Sequence, residues 1–149
     1  MAEIVTGIAE FDLAIKAMEA RVDEAARKFV LEGAERIKRE AKKIFITGSD
    51  ASITSKWHSD AWPLPTRRTG NLMNSIYSDG ARKIGTGKWE SQTGPHIVYG
   101  RRIELGFHGS GRWPYYTTRP FPYMQPGIEN SIPQLEILFN SLVIAAQEA

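Results

Sequence analysis

Between residues 8 and 45 apolar side chains return every third or fourth position: Ile8, Phe11, Ile15, Met18, Val22, Ala25 and Phe29. Alternating steps of three and four lay them along one stripe of an α-helix. The row then shifts by one residue, to Val30, Ala34, Ile37, Ala41 and Ile44, a stutter that turns the apolar face around the helix. The other side is rich in Glu, Lys and Arg, and pairs such as Glu24/Lys28 and Glu35/Arg39 stand at helical spacing. At ~1.5 Å per residue this helix would be roughly 55 Å long. That outruns the width of a compact domain of 149 residues, so part of it is expected to pack on something else. The competing arrangement is a break near Gly33 with the halves folded back, because a mid-helix Gly costs only ~1 kcal/mol.

Downstream the pattern loses its period. Thr47-Gly48-Ser49 ends the helix, and residues 48–66 read as a long loop carrying Trp57, Trp62, Pro63 and Pro65. Loops of this length are usually functional or ordered by a partner, and two Trp are costly to leave in water, so both are expected to pack on the domain or a neighbour. Thr69 is placed to cap a short helix from Gly70 to about Tyr77, with Leu72, Met73 and Ile76 facing inward. Ser78-Asp79-Gly80 is a turn, and residues 81–98 read as short strands around Gly85-Thr86-Gly87 and Gln92-Thr93-Gly94-Pro95. Tyr99 to Leu105 suits a strand or a short helix, with Gly106 as its stop. A last helix covers roughly 127–147, its apolar face made of Ile132, Leu135, Leu138, Phe139, Leu142, Val143 and Ala146. Pro133 either kinks that helix or opens its main part with Ser131 as cap. The sum is a single α+β domain over 1–149. It comprises a long helix (8–45), a Trp/Pro loop (48–66), a core with short helices and a small antiparallel sheet (67–125), and a C-terminal helix (126–148).

Charge is distributed unevenly although the net value is only +2. Residues 1–47 balance nine basic against nine acidic groups, residues 67–120 hold nine basic against three acidic, and residues 126–149 hold three Glu and no base. A basic middle beside an acidic end suits subunits packing head to tail. The chain has no Cys, which removes disulfides and thiolate metal sites. Its start lacks a basic segment followed by a long apolar run, so no secretory signal is expected, and no stretch is apolar for long enough to span a membrane.

Catalytic signatures fail on inspection. Gly85-Thr86-Gly87-Lys88 lacks the earlier Gly of a phosphate loop and has Trp89 where Ser or Thr belongs, so a hairpin turn is the better reading. His108-Gly109-Ser110-Gly111 lacks the glycines of a nucleophile elbow. His58, His96 and His108 have no metal-ligand spacing. Glu104 and His108 would lie one turn apart in a helix and could mimic an acid/base pair, but a surface or interface contact is the better reading. No catalytic residue, metal or cofactor is expected. Three basic doublets, Arg67-Arg68, Arg82-Lys83 and Arg101-Arg102, near Trp89, Tyr99 and Trp113, could meet a nucleic-acid backbone without reading its sequence. The run from Trp113 through Tyr115, Tyr116, Arg119, Pro120 and Phe121 to Tyr123 is the best partner surface. Pro there fixes an extended backbone and aromatics supply contact area, with Phe121 the anchor and the tyrosines outward.

Three motifs follow in fixed order: Arg68-Thr69-Gly70-Asn71-Leu72-Met73-Asn74-Ser75-Ile76, then Tyr99-Gly100-Arg101-Arg102-Ile103-Glu104-Leu105-Gly106, then Arg119-Pro120-Phe121 with Pro126-Gly127-Ile128-Glu129. Together they resemble the small tail-component family of tailed bacteriophages, the neck or head–tail joining proteins. The match rests on Thr69, Gly70, Leu72, Ser75 and Ile76, on Tyr99, Glu104 and Gly106, and on Pro120, Phe121 and Pro126. Phe107 stands where the family often has Thr, Gly127 where Ala is common, and residues 87–96 look like an insertion. The resemblance implies a non-enzymatic virion protein, made in the host cytoplasm. It would form a homo-oligomeric ring around the DNA channel at the head–tail junction. Its partners would be itself, head-closure or stopper proteins, and tail terminator or tail-tube proteins, with non-specific contact to channel DNA and no membrane. Trp57, Trp62, Arg101, Arg102, Trp113, Tyr115, Tyr116, Arg119 and Tyr123 are the expected contact residues. The alternatives are a tail terminator or minor tail protein capping the tube, and a sequence-independent DNA-binding assembly factor.

Overall fold

The structure is a computed structural model and describes residues 2–47, 70–106 and 120–148. It is mixed α+β and mostly helical, with a long first helix, two small antiparallel strand pairs with short helices, and a last helix. Helix α1 (Ala2–Thr47) is unbroken for 46 residues. At ~1.5 Å per residue it is roughly 70 Å long. The break near Gly33 does not occur. The missing Cβ there admits the neighbouring helix, since a Cβ on Gly33 would lie 3.2 Å from a methyl of Leu135. Ion pairs one turn apart line the polar side: Lys16–Asp12, Arg27–Glu24, Lys38–Glu35 and Lys43–Glu40. Glu24 and Glu35 thus choose the base at i+3 rather than the expected i+4 partner. Each exposed pair adds only a few tenths of a kcal/mol.

Helix α2 (Asn71–Asn74) is a single turn, shorter than expected, and its N-cap position is Gly70 with a left-handed backbone (φ 78°). Thr69, the expected cap, lies outside the described residues. The chain leaves the helix at Ser75, whose hydroxyl donates to the Leu72 carbonyl at 2.7 Å, and enters strand β1 (Ile76–Ser78). Ile76 is therefore delivered to the core by a strand. Strand β4 (Thr93–Pro95) pairs with β1 antiparallel, Ile76 opposite Pro95 and Ser78 opposite Thr93. Strands β2 (Arg82–Gly85) and β3 (Lys88–Glu90) form a hairpin closed by Thr86-Gly87, with Gly87 at φ 64°. Helix α3 (Gly100–Leu105) follows and stops at Gly106, φ 75°.

Helix α4 (Met124–Glu148) lies along α1. Ala41 meets Gly127, Gly33 meets Leu135, and the rings of Phe29 and Phe139 touch edge-on at 5.6 Å, so the two run antiparallel. A Cβ on Gly127 would lie 2.8 Å from the Ala41 backbone, which makes this the tightest approach of the pair. Pro133 sits inside α4, and Ser131, expected as a cap, is a buried interior residue whose hydroxyl donates to the Ile128 carbonyl at 2.7 Å. The expected apolar face divides. Leu138 is buried and Leu135, Leu142 and Ala146 are half-buried, while Ile132, Phe139 and Val143 remain exposed.

The core is small and sits at the C-terminal end of α1. Ala41, Ile44, Phe45, Leu72, Ile76 and Tyr123 form it, with Met73, Ile103 and Met124 packed around. Phe45 and Tyr123 are its largest side chains, their ring centroids 5.0 Å apart. No helix among the described residues is long and apolar enough to cross a membrane.

Candidate functional site: the α3–α4 junction and the uncovered helix faces

Two of the three sequence motifs meet at one point. Helix α3 presents Glu104 to the start of α4, and its carboxylate accepts three backbone N–H groups: Tyr123 (2.7 Å) and Met124 (2.9 Å) on Oε2, and Gln125 (3.0 Å) on Oε1. Pro126 follows and has no N–H to satisfy. Gly127 then makes the first bond within the helix, to the Tyr123 carbonyl at 3.2 Å. The free donors that any helix N-terminus leaves are thereby filled by one carboxylate from another helix and one imino acid. The negative charge also stands at the positive end of the helix dipole. The spacing of Glu104, Gly106 and Pro126 in the sequence serves this cap.

The rest of the junction locks α3 in place. Phe121 N–H donates to the Ile103 carbonyl at 2.7 Å. The Tyr123 hydroxyl donates to the Gly100 carbonyl at 3.1 Å. Burial, and then the nearby Glu104 charge, push the Tyr123 phenol well above its ordinary range, so it stays a neutral donor. A Cβ on Gly100 would come within 2.6 Å of the Pro95 ring and 3.1 Å of that hydroxyl, so only glycine fits. Tyr123, expected to face outward, is 0% exposed and is the anchor of this segment, while Phe121, the expected anchor, is half-buried. The reason is position. Tyr123 stands at the N-cap of α4, directly over Phe45.

The remaining predicted residues are scattered over several places. Gly70, Leu72, Ser75 and Ile76 build α2 and β1 and belong to the core or its edge. Tyr99 is exposed at the start of α3 and Pro120 is exposed ahead of Phe121, while Pro126 and Gly106 are half-buried. Arg101 and Arg102 are exposed on α3. Trp57, Trp62, Trp113, Tyr115, Tyr116 and Arg119 lie outside the described residues, as do Arg67, Arg68, His58 and His108. Of the basic doublets, Arg82 pairs with Glu90 across the hairpin. Lys83 donates to Asp23 of α1 at 2.8 Å and lies 5.4 Å from the centre of the Trp89 ring. Trp89 Nε1–H donates to the other Asp23 oxygen at 3.0 Å. Arg82 is thus engaged within the hairpin, while Lys83 holds the hairpin on α1.

Sequence reasoning missed Asp23, the close packing at Gly100 and the capping role of Glu104. An acidic residue on a charged helix face carries no local mark of a hairpin from sixty residues away. The acidic residue just before Gly106 and the Pro at the opening of the last helix were the available signal for the cap.

Outside the junction, large apolar side chains stay uncovered. On α1 these are Ile8 (65% exposed), Phe11 (67%), Met18 (57%) and Val22 (53%) in one row, with Ile15 less so, and Leu13 (72%) and Ile46 (59%) outside it. On α4 they are Ile128, Ile132, Phe139 and Val143 in one row and Ile137 and Ile144 in another. Contiguous apolar rows of this length are more than the scattered apolar residues of an ordinary surface. Among the described residues no three His, Asp or Glu side chains converge as metal ligands. Glu104, the one acid at the junction, has both oxygens engaged by amides. The chain finds no match among protein-family models, curated proteins or solved structures.

Proposed function

We propose that the chain is a structural subunit of the head–tail connector of a tailed bacteriophage, assembling as a ring around the DNA channel. The observation that supports it most is the convergence of the family-like motifs on one junction. Tyr99-to-Gly106 and Pro120-to-Pro126, which resemble the neck proteins in order and spacing, act together as a helix cap with no reactive group left open. Such a site fixes the angle between two helices, which is what a subunit with repeated contacts requires. The uncovered apolar rows on α1 and α4 supply surfaces for those contacts. Charge supports a head-to-tail arrangement. Arg101 and Arg102 are exposed on α3, while α4 carries Glu129, Glu136 and Glu148 and no base. The DNA-binding alternative loses Arg82 and Lys83, which are held by Glu90 and Asp23.

Cryo-electron microscopy of purified virus particles tests the reading. A closed ring of this chain between head and tail is the expected result, and a ring capping the tube would assign the terminator role instead. Absence from complete particles would overturn the structural reading.

A further inference from the structure

We infer that the N-terminal arm of α1 is one strand of a parallel coiled coil with the arm of a second copy of this chain. The inference rests on the arm itself and does not require the connector reading.

The arm begins where α4 stops. Continued from Phe29–Phe139, the antiparallel register brings Glu148, the last residue of α4, level with about Ala20 of α1. Beyond that point α1 runs on, and the side chains there are those found exposed. Apart from Leu13, which stands at an f position on the far side, the large apolar ones have a stricter pattern than an amphipathic surface helix. Ile8, Ile15, Val22 and Phe29 repeat every seven residues, and Phe11, Met18 and Ala25 repeat every seven between them. This is the a and d seam of a coiled coil, with a mean spacing of ~3.5 residues. Phe29, at the inner end of the seam, already packs on Phe139 of α4, so the exposed part continues a packed helix–helix interface. The β2–β3 hairpin docks at Asp23, beside the seam, and leaves Val22 53% exposed.

Composition at the seam selects the partner's direction. The a positions of the arm are β-branched (Ile8, Ile15, Val22), a choice that favours two parallel strands. The flanking e positions are Asp12, Glu19 and Ala26, and the g positions are Gly7, Ala14, Arg21 and Lys28. In a parallel pair each g faces the e of the next heptad, giving Gly7–Asp12, Ala14–Glu19 and Arg21–Ala26, with no like charges opposed. In an antiparallel pair e faces e, and Asp12 would oppose Glu19 on the exposed flank. A lipid surface is a poorer occupant. Residues 7–22 carry three acidic against two basic groups, whereas membrane-surface helices are rich in Lys and Arg on the polar face. Parallel arms can also be paired two by two along the axis of a cyclic ring with an even number of subunits, while antiparallel pairing demands a two-fold axis that makes the assembly's two ends alike.

The absence of cysteine gives a direct test. Ile8→Cys and Val22→Cys each place a single thiol on the exposed seam of the full chain. In a parallel pair each thiol faces its own copy, within the ~4.4–6.8 Å Cα separation that a disulfide spans. Each variant, mildly oxidised alone, is expected to become a disulfide-linked dimer. Adding Phe11→Glu should cut the linked fraction by about tenfold or more, since two carboxylates would have to be buried in one layer. Failure of either variant to cross-link with itself overturns the proposal. So does cross-linking only when the two are mixed, which would mean antiparallel arms, or a yield indifferent to Phe11→Glu, which would mean chance collision. These readouts use purified protein, so they stand apart from the search for a ring in virus particles.

Discussion

Glu104 does the work of a cap that α4 does not encode in its own sequence. The helix has no Ser, Thr, Asp or Asn at its N-cap; the place is taken by Tyr123, which is spent on the core. Replacing Glu104 with Ala should destabilise the protein by about 1–2 kcal/mol, since two partly buried amides and one exposed amide lose a charged acceptor. Gln should lose less, keeping one oxygen for one or two of the three amides. Urea unfolding of both variants checks the order, and equal loss would mean that the neutral amide oxygen restores nothing of the cap. Gly100→Ala should cost about 1–3 kcal/mol by overpacking against Pro95 and the Tyr123 hydroxyl. A Gly100→Ala protein with unchanged urea midpoint would show that Pro95 can move aside.

At the scale of elements, the β2–β3 hairpin is tied to α1 by one carboxylate. The hydrogen bond from Lys83, followed by that from Trp89, holds the Asp23 carboxyl below its ordinary value near 3.8. A group whose pKa is depressed by folding stabilises the fold above its unfolded pKa and loses that contribution as pH falls through the folded one. Docking of the hairpin should therefore be intact above about pH 4 and weaken below it. The Trp89 indole N–H resonance in NMR reports this, and Asp23→Asn should give the weakened signature at neutral pH. A resonance insensitive to both changes would mean the hairpin is held by other contacts. Elements were unequally legible in the sequence. The long helix was plain because its stripe persists for ten turns. Helix α2 was overextended because Ile76 fits both readings, four residues after Leu72 in a helix and inward-facing in the Ile76-Tyr77-Ser78 strand. The inner face of α4 was turned too far because apolar residues occupy both of its sides, and only the approach of Gly127 to Ala41 decides which side faces α1. Tyr123 and Glu104 owe their roles to contacts about twenty residues away, which no local period reports.

For the whole molecule, the proposed ring makes a charge prediction. Reversing both Arg101 and Arg102 to Glu should block the joining of heads to tails. Complementation of a virus lacking the chain reads this out, and wild-type infectivity would sink the assignment of that surface. A different consequence follows from α1 outrunning α4. One continuous helix here has two stabilities. From Ala25 to Phe45 its backbone is guarded by packing, and its amides should exchange with solvent only when the core opens. Over residues 7–20 no other described element packs on it, so its own hydrogen bonds and the exposed Lys16–Asp12 pair are what hold it; Gly7 weakens it further, and isolated helices of ~12–15 residues are marginal in water. Amide exchange should rise steeply toward the N-terminus of a single unkinked rod, with no loop to mark the change. The arm of a lone subunit would spend part of its time unwound, and the cost of rewinding falls due only when a partner arrives. Subunits newly made and dilute would thus resist sticking to one another, while a template holding several arms side by side would overcome that cost cooperatively.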